Sequence, residues 1–315
     1  MTVVVLGAGA VGSLFGARFR AAGHRVLLIG RPAHVTAVRT HGLRVDGAGA
    51  GTFDCEAATE LPRGFAADLA LLTVKTFDLA AAASELGRAL SPLPTLLPQN
   101  GLGVEPTAIA ALGAAGWPDP GNSIVRAVHS VPATWIGPGV IRAAGTGEVI
   151  LPAPGGEPAP DGSQRFADLF RSAGFTVRTV GSIDREVWRK AIVNAAINPI
   201  TAVHRVPNGR LASGPLREEA LRLLTEALSV ASALGLGPSQ EEALSDFDRI
   251  VRATAENRSS MLQDIDRGRP TEIEAISGEI LRLGETKGIP LPATRSIVVR
   301  VRADAARGAR AAQPS

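Results

Sequence analysis

Lys190, Asn194 and Asn198 recur at every fourth position of one stretch, Trp188-Arg-Lys-Ala-Ile-Val-Asn-Ala-Ala-Ile-Asn-Pro199. That spacing sets three polar side chains along one face of a helix. The residues between them are Ala, Ile and Val, which favour burial. A polar stripe on a buried helix must find hydrogen-bond partners or face a polar cavity. A lysine in such a cavity can stabilise growing negative charge and then give up a proton, which an arginine cannot do. The chain has 33 Lys and Arg residues, yet only Lys75, Lys190 and Lys287 are lysines. Where arginine fills nearly every basic role, a retained lysine points to a task that needs lysine. The bland account has the asparagines bonding neighbouring backbone and Lys190 reaching to solvent. Pro199 should end or kink this helix.

A second cluster runs Asn257-Arg-Ser-Ser-Met-Leu-Gln-Asp264. Ser260 and Asp264 should share a helix face, with Asn257 one turn earlier. Further on, Thr271 and Glu274 have capping-box spacing, which leaves Glu272 free in the first turn of a helix. An acid there either complements the helix dipole or is available for chemistry.

The third cluster opens the chain. Val3 to Leu6 reads as a buried strand, Gly7-Ala-Gly-Ala-Val-Gly12 follows, and Ser13 to Arg20 reads as a helix. Strand, glycine turn and helix in this order form the context of the dinucleotide fingerprint. Gly7 permits the tight turn, Gly9 lets a pyrophosphate approach the backbone, and Gly12 lets the helix pack close to the strand. The helix N-terminus then offers the phosphates free N–H groups and a favourable dipole. NAD sites place an acid at the end of the second strand, His24 to Ile29. Gly30 and Arg31 stand there instead, and a guanidinium suits a 2′-phosphate, so the cofactor is read as NADP(H). The ordinary alternative is a solvated arginine at a strand end.

These groups need elements to hold them. Ala67 to Val74 reads as a buried strand ending at Lys75, and Thr95 to Leu97 as another, followed by Asn100. Lys75 and Asn100 therefore both lie past carboxyl ends of strands, where open parallel sheets bind ligands. Phe77 to Leu90 reads as a helix, and residues 43–58 as short strands and turns. Ile124 to Val131 reads as a strand, and Gly139–Arg142 with Glu148–Leu151 as a hairpin. Pro152 to Gly162 is a Pro/Gly-rich loop. Ser163–Ala173 and Thr176–Val180 then read as a helix and a strand of the same sheet. From residue 183 the pattern is helical, with candidate helices at 184–198, 214–235, 239–258, 271–287 and 292–308, and a frayed tail. The fold class is thus α/β: an N-terminal Rossmann-type dinucleotide-binding domain, 1–182, followed by an all-α domain, 183–315.

Composition narrows the function. The chain has 315 residues, 45% hydrophobic, with no apolar run long enough for a membrane span. The first apolar run has no basic residues before it and is too short to be expected as a signal peptide, and the single cysteine, Cys55, fits a reducing compartment, so a cytoplasmic setting is expected. Net charge is +3 without a basic block, and aromatics are 4%, which argues against a nucleic-acid surface. His24, His34, His41, His129 and His204 are scattered, and no Cys/His set for a metal is present.

The chain resembles the ketopantoate reductase (2-dehydropantoate 2-reductase) family over nearly its whole length. The resembling segments are Gly7 to Gly12, Thr73-Val-Lys-Thr76, Gln99-Asn-Gly-Leu-Gly103, Trp188-Arg-Lys to Asn198-Pro199, Pro207-Asn-Gly209, and Ser259 to Asp264 leading to Thr271-Glu272. The resemblance implies that Gly7, Ala8, Gly9, Ala10, Val11 and Gly12 hold a pyrophosphate and that Arg31 holds the 2′-phosphate. Lys75 and Asn100 would line the NADPH site, Asn100 also reaching substrate, and the backbone near Val131 would flank the nicotinamide. Lys190 matches the proton donor. Asn194, Asn198, Asn208 and Ser260 match substrate-binding positions. Glu272 matches an acid that meets either the nicotinamide ribose or the substrate hydroxyl. His129-Ser-Val-Pro132 departs from the small residues usual in that family loop.

The implied chemistry is hydride transfer to the keto carbon of a small 2-keto acid, with Lys190 protonating the carbonyl oxygen. The product would be pantoate, for the pantothenate and coenzyme A route. Two alternatives stand beside it: a reductase of another 2-keto acid or an imine, and a non-catalytic NADP(H)-binding sensor. A sensor has no need of a proton donor. A homodimer is also expected, since helical second domains of this kind often pair.

Overall fold

A computed structural model of the chain describes residues 1–154 and 162–311, the last four by backbone alone. The expected Pro152–Gly162 loop therefore lies mostly outside the described residues, as do the final four residues of the tail. The chain divides into two compact units, Met1–Gln99 with Val104–Ile183, and Asn100–Gly103 with Asp184–Ser315. The Asn100–Gly103 loop, expected in the first half, thus counts with the second.

The first unit runs β1 (Thr2–Leu6), α1 (Ala10–Ala21), β2 (Arg25–Ile29), α2 (Pro32–His41), β3 (Leu43–Gly47), β4 (Gly51–Phe53), β5 (Glu56–Ala58), β6 (Leu69–Leu72), α3 (Leu79–Ala89), β7 (Thr95–Leu97), α4 (Val104–Ala114), β8 (Ile124–Arg126), β9 (Val128–His129), β10 (Ala133–Gly137), β11 (Val140–Ala143), β12 (Glu148–Pro152), α5 (Ser163–Ser172) and β13 (Thr176–Val180). Six strands form a parallel sheet in the order β5-β2-β1-β6-β7-β8. Counted along the chain within that sheet, this is the 3-2-1-4-5-6 order of the doubly wound dinucleotide fold, whose switch point falls between β1 and β6. Both faces are covered, so the strands are continuous apolar runs rather than alternating ones. In β1, Val3 and Val5 enter one core with Phe15, Phe19, Phe166 and Phe170, while Val4 and Leu6 enter the other with Leu72, Leu86 and Leu112.

Two smaller sheets revise the sequence reading. β11 pairs with β10 and β3, whereas β12 pairs with β9 and β13. Residues 139–142 and 148–151 are therefore not a hairpin. β13 belongs to this three-stranded sheet and not to the six-stranded one. The single strand expected over 124–131 is split, β8 pairing with β7 and β9 with β12.

The second unit contains α6 (Ile183–His204, whose first residue counts with the first unit), α7 (Pro215–Ala233), α8 (Gln240–Ala253), α9 (Ser260–Asp266), α10 (Glu279–Thr286) and α11 (Pro292–Ala311). α6 does not end at Pro199 but continues to His204. Pro199 leaves Ala195 O without its ladder donor; two residues on, the buried Thr201 Oγ1 donates to Ile197 O at 2.8 Å. α8 starts at a capping box, with Ser239 Oγ accepting from Glu242 N and Glu242 Oε2 accepting from Ser239 N. The Glu226 carboxylate of α7 caps α11, accepting from Ala293 N at 2.9 Å and Thr294 N at 2.7 Å. No helix of the described residues is long and apolar enough to cross a membrane.

Candidate active site

In the first unit the glycine turn has the shape that the fingerprint demands. Gly7 adopts φ +107, and a Cβ there would lie 2.5 Å from Val74 N. Its N–H and that of Ala8 donate to Ile29 O at 3.0 and 2.8 Å, which ties the turn to the end of β2. A Cβ on Gly12 would strike Thr73 Oγ1 at 2.3 Å and Gly7 O at 2.4 Å, so α1 packs against the end of β6 only because position 12 is glycine. Gly9 differs. Its Cβ would meet nothing closer than Gly7 O at 3.9 Å. Glycine at 9 is therefore not demanded by the protein's own packing; it leaves the outer side of the turn open to an approaching group. Ala10, Val11 and Gly12 open α1, where intrahelical bonding leaves N–H groups over, and Gly9 supplies no side-chain cap. An open glycine face beside uncapped helix N–H groups fits a dinucleotide pyrophosphate.

Arg31 is exposed at the N-cap of α2, just past β2, with Pro32 as the first helical residue. Its position suits a phosphate at the edge of that turn. Lys75 follows β6 and precedes a short 3-10 turn, Thr76–Asp78. Val131 has its side chain in the core, so only its backbone is available to a ligand, and Gly147 lies against that backbone. Gln99, which the sequence reading left aside, is buried. Its Nε2 donates to Leu72 O at 2.6 Å, and its Oε1 is buried without a partner.

In the second unit, Lys190, Asn194 and Asn198 lie on α6 as their spacing requires. Lys190 and Asn194 are half-buried, and Asn198 is buried. Asn208 lies in a short turn docked on residues 254–257. Its N–H donates to Asn257 O, and its Nδ2 donates to Thr254 Oγ1 at 2.9 Å, while Oδ1 stays buried without a partner. Ser260 is the exposed first residue of α9. α8 stops at Ala253, so Asn257 lies in the connection and not one helical turn before Ser260. Sequence reading also missed what sets Ser260. Ser259 caps α9 by accepting from Leu262 N, and its hydroxyl lies 2.8 Å from Thr201 Oγ1 of α6, within hydrogen-bond reach.

Glu272 is buried and precedes a π-turn, Glu274–Gly278. No capping box forms here. Glu274 instead accepts two bonds from Arg302, both of 2.7 Å, and that guanidinium holds its carboxyl below the usual carboxylate range. Asn100 joins this unit through its neighbours, since Leu102 N donates to Ala275 O at 2.7 Å. Among the described residues no group of three or more His, Cys, Asp or Glu side chains converges on a metal site.

Residues 3–156 match the family model described as "Ketopantoate reductase PanE/ApbA", and residues 182–305 match its C-terminal counterpart. The 2-dehydropantoate 2-reductase of Archaeoglobus fulgidus is 34% identical over 301 residues, 95% of this chain and 96% of that one. The chain belongs to the ketopantoate reductase family. The resemblance carried by the glycine turn, the Lys190 helix and the Ser259–Glu272 segment is thus borne out, and with it the reading as an oxidoreductase. A ketopantoate reductase family crystal structure from Ralstonia eutropha is 31% identical, with a TM-score of 0.86 over 98% of this chain and 99% of that one. A D-mandelate dehydrogenase solved with NADH and anilino(oxo)acetate shares the fold, with a TM-score of 0.89 at 24% identity over 98% and 99% of the two chains.

Proposed function

We propose that this chain reduces 2-dehydropantoate to pantoate with NADPH, the first unit (in essence residues 1–182) binding the dinucleotide and the helical unit (183–315) the keto acid. The reading is carried by one observation: a chain 34% identical to a 2-dehydropantoate 2-reductase along nearly its full length carries Lys190, Asn194 and Asn198 on a single largely buried helix. Bound NADPH supplies the hydride that reaches the keto carbon. The open face at Gly9 and the N–H groups at Ala10 to Gly12 would receive its pyrophosphate, and Arg31 its 2′-phosphate. Lys75, Asn100 and the backbone at Val131 would line the remainder of the dinucleotide.

The protein's own work lies at the carbonyl. As charge grows on its oxygen, the Lys190 ammonium stabilises it and then passes a proton to it. Asn194, Asn198, Asn208 and Ser260 would hold the carboxylate and hydroxyl of the keto acid in one orientation, which converts an encounter into a positioned reaction. Glu272 would accept a hydroxyl hydrogen from either the substrate or the nicotinamide ribose. The same reading carries a homodimer and a cytoplasmic setting.

The test is a substrate panel: 2-dehydropantoate, 2-ketoisovalerate, phenylpyruvate and benzoylformate, each with NADPH and with NADH. The highest kcat/KM should fall to 2-dehydropantoate with NADPH. A higher value for one of the other acids would reassign the substrate while leaving the reaction class. No turnover with any of them, at intact NADPH binding, would favour a sensor.

A further inference from the structure

The π-turn and the Asn100–Gly103 loop meet at the Ala275 carbonyl. In an uninterrupted α-helix the Glu279 N–H would bond Ala275 O. Here it is directed to Glu274 O and Ile276 O, and Gly278 N bonds Ile273 O at 2.9 Å in the wider five-residue pattern. Ala275 O takes the Leu102 N–H at 2.7 Å. Such wide turns are rare and less favourable than α-helix, and they gather at functional sites.

The other side of the contact is equally specific. Gly101 has φ +92, a backbone state open to glycine, and a Cβ on it would lie 2.6 Å from Ala275 O and 3.0 Å from Ala275 Cβ. No other residue lets the loop lie this close. Asn100 stands directly before Gly101, and its Oδ1 is buried without a hydrogen-bond partner. A buried acceptor of that kind is costly unless a donor from a bound molecule meets it. Glu272 stands three residues before Ala275 on the other partner.

We infer that the π-turn is a positioning device: its diverted Ala275 carbonyl holds Gly101-Leu102 so that Asn100 presents its amide to the dinucleotide or substrate beside the segment that carries Glu272. Ala275 and Gly101 are positioning residues that touch no reacting atom. The inference rests on the reading above, in which Asn100 serves the bound cofactor or keto acid.

The experiment is a double-mutant cycle in the full-length protein, using Gly101→Ala, Asn100→Ala and the pair. It measures kcat and KM for 2-dehydropantoate with NADPH, with thermal unfolding alongside. Gly101→Ala should lower kcat/KM on the order of 100-fold, the usual cost of misplacing a reacting group by about 1 Å. The pair should be within about 2-fold of Asn100→Ala alone, because Gly101 acts through Asn100. Multiplicative losses, or a Gly101→Ala enzyme that keeps normal turnover while Asn100→Ala is impaired, would overturn the inference and leave the function standing. An unimpaired Asn100→Ala enzyme would instead remove Asn100 from the site and overturn the reading beneath it. Should Gly101→Ala not fold, Leu102→Pro, which deletes the donating N–H, enters the same cycle with the same outcomes.

Discussion

Ser13 Oγ and His34 Nε2 lie 3.1 Å apart, and neither residue is open to solvent. Gly139 N donates to His34 Nδ1 at 2.9 Å, so Nδ1 is the acceptor and the ring's single proton sits on Nε2, donated to Ser13. One neutral imidazole thus joins α1, the start of α2 and the β10–β11 turn. Burial holds its pKa below the ordinary histidine value. The folded chain refuses a proton that the unfolded chain accepts below about pH 6.5, so this contribution is complete above that pH and is lost as pH falls through the lowered value. The melting temperature should therefore drop on acidification from about pH 7 to pH 5. His34→Gln should shallow that slope without abolishing it, because His24 is also shifted down by burial. An unchanged slope in the variant would refute the assignment.

Gly9 and Gly12 should separate binding from stability. Gly12→Ala drives a methyl into Thr73 Oγ1 and Gly7 O, and overpacking of this kind costs about 1–3 kcal/mol. Gly9→Ala meets open space, so stability should stay within about 0.5 kcal/mol, while NADPH affinity falls as the methyl stands where the pyrophosphate approaches. Thermal unfolding and NADPH titration read the two effects apart; equal behaviour of the two variants would contradict the geometry.

Arg31→Ala should weaken NADPH by roughly 10-fold or more, as expected for a lost charge-assisted phosphate contact, and leave NADH nearly unchanged. Equal loss of both dinucleotides would remove Arg31 as the phosphate reader.

Lys190→Ala should lower kcat by at least about 100-fold, the usual cost of a missing general acid, with NADPH binding intact. Lys190→Arg keeps the charge but not the transferable proton and should remain impaired. Near-normal turnover in either variant would assign the proton to another group.

Much of this was legible in the sequence because its signals are local. The strand–glycine–helix order of residues 3–20 and the four-residue spacing from Lys190 to Asn198 report local periodicity, and the structure has β1 and α1 at the first and one helix through the second, though that helix continues past Pro199. Non-local facts were not. β11 and β12 are near neighbours in sequence with strand character, which favours a hairpin, yet each finds its partners elsewhere. α2 was overlooked although Pro32 at its first position and Arg39 and His41 in its last turn mark its ends. The π-turn left no local trace: Glu274 reads as a capping residue until Arg302, distant in sequence, claims its carboxylate.

The Asn100–Gly103 loop bears on how such a chain can be inherited. A recombination event that joined the first 183 residues of one relative to the remainder of another would look like a clean exchange of halves. It would nonetheless pair one parent's four-residue loop with the other parent's Ala275. Only crossovers between sequences that agree on Gly101 and on the five-residue turn would keep that fit. The two halves are consecutive in the gene, but as evolving modules they are interleaved.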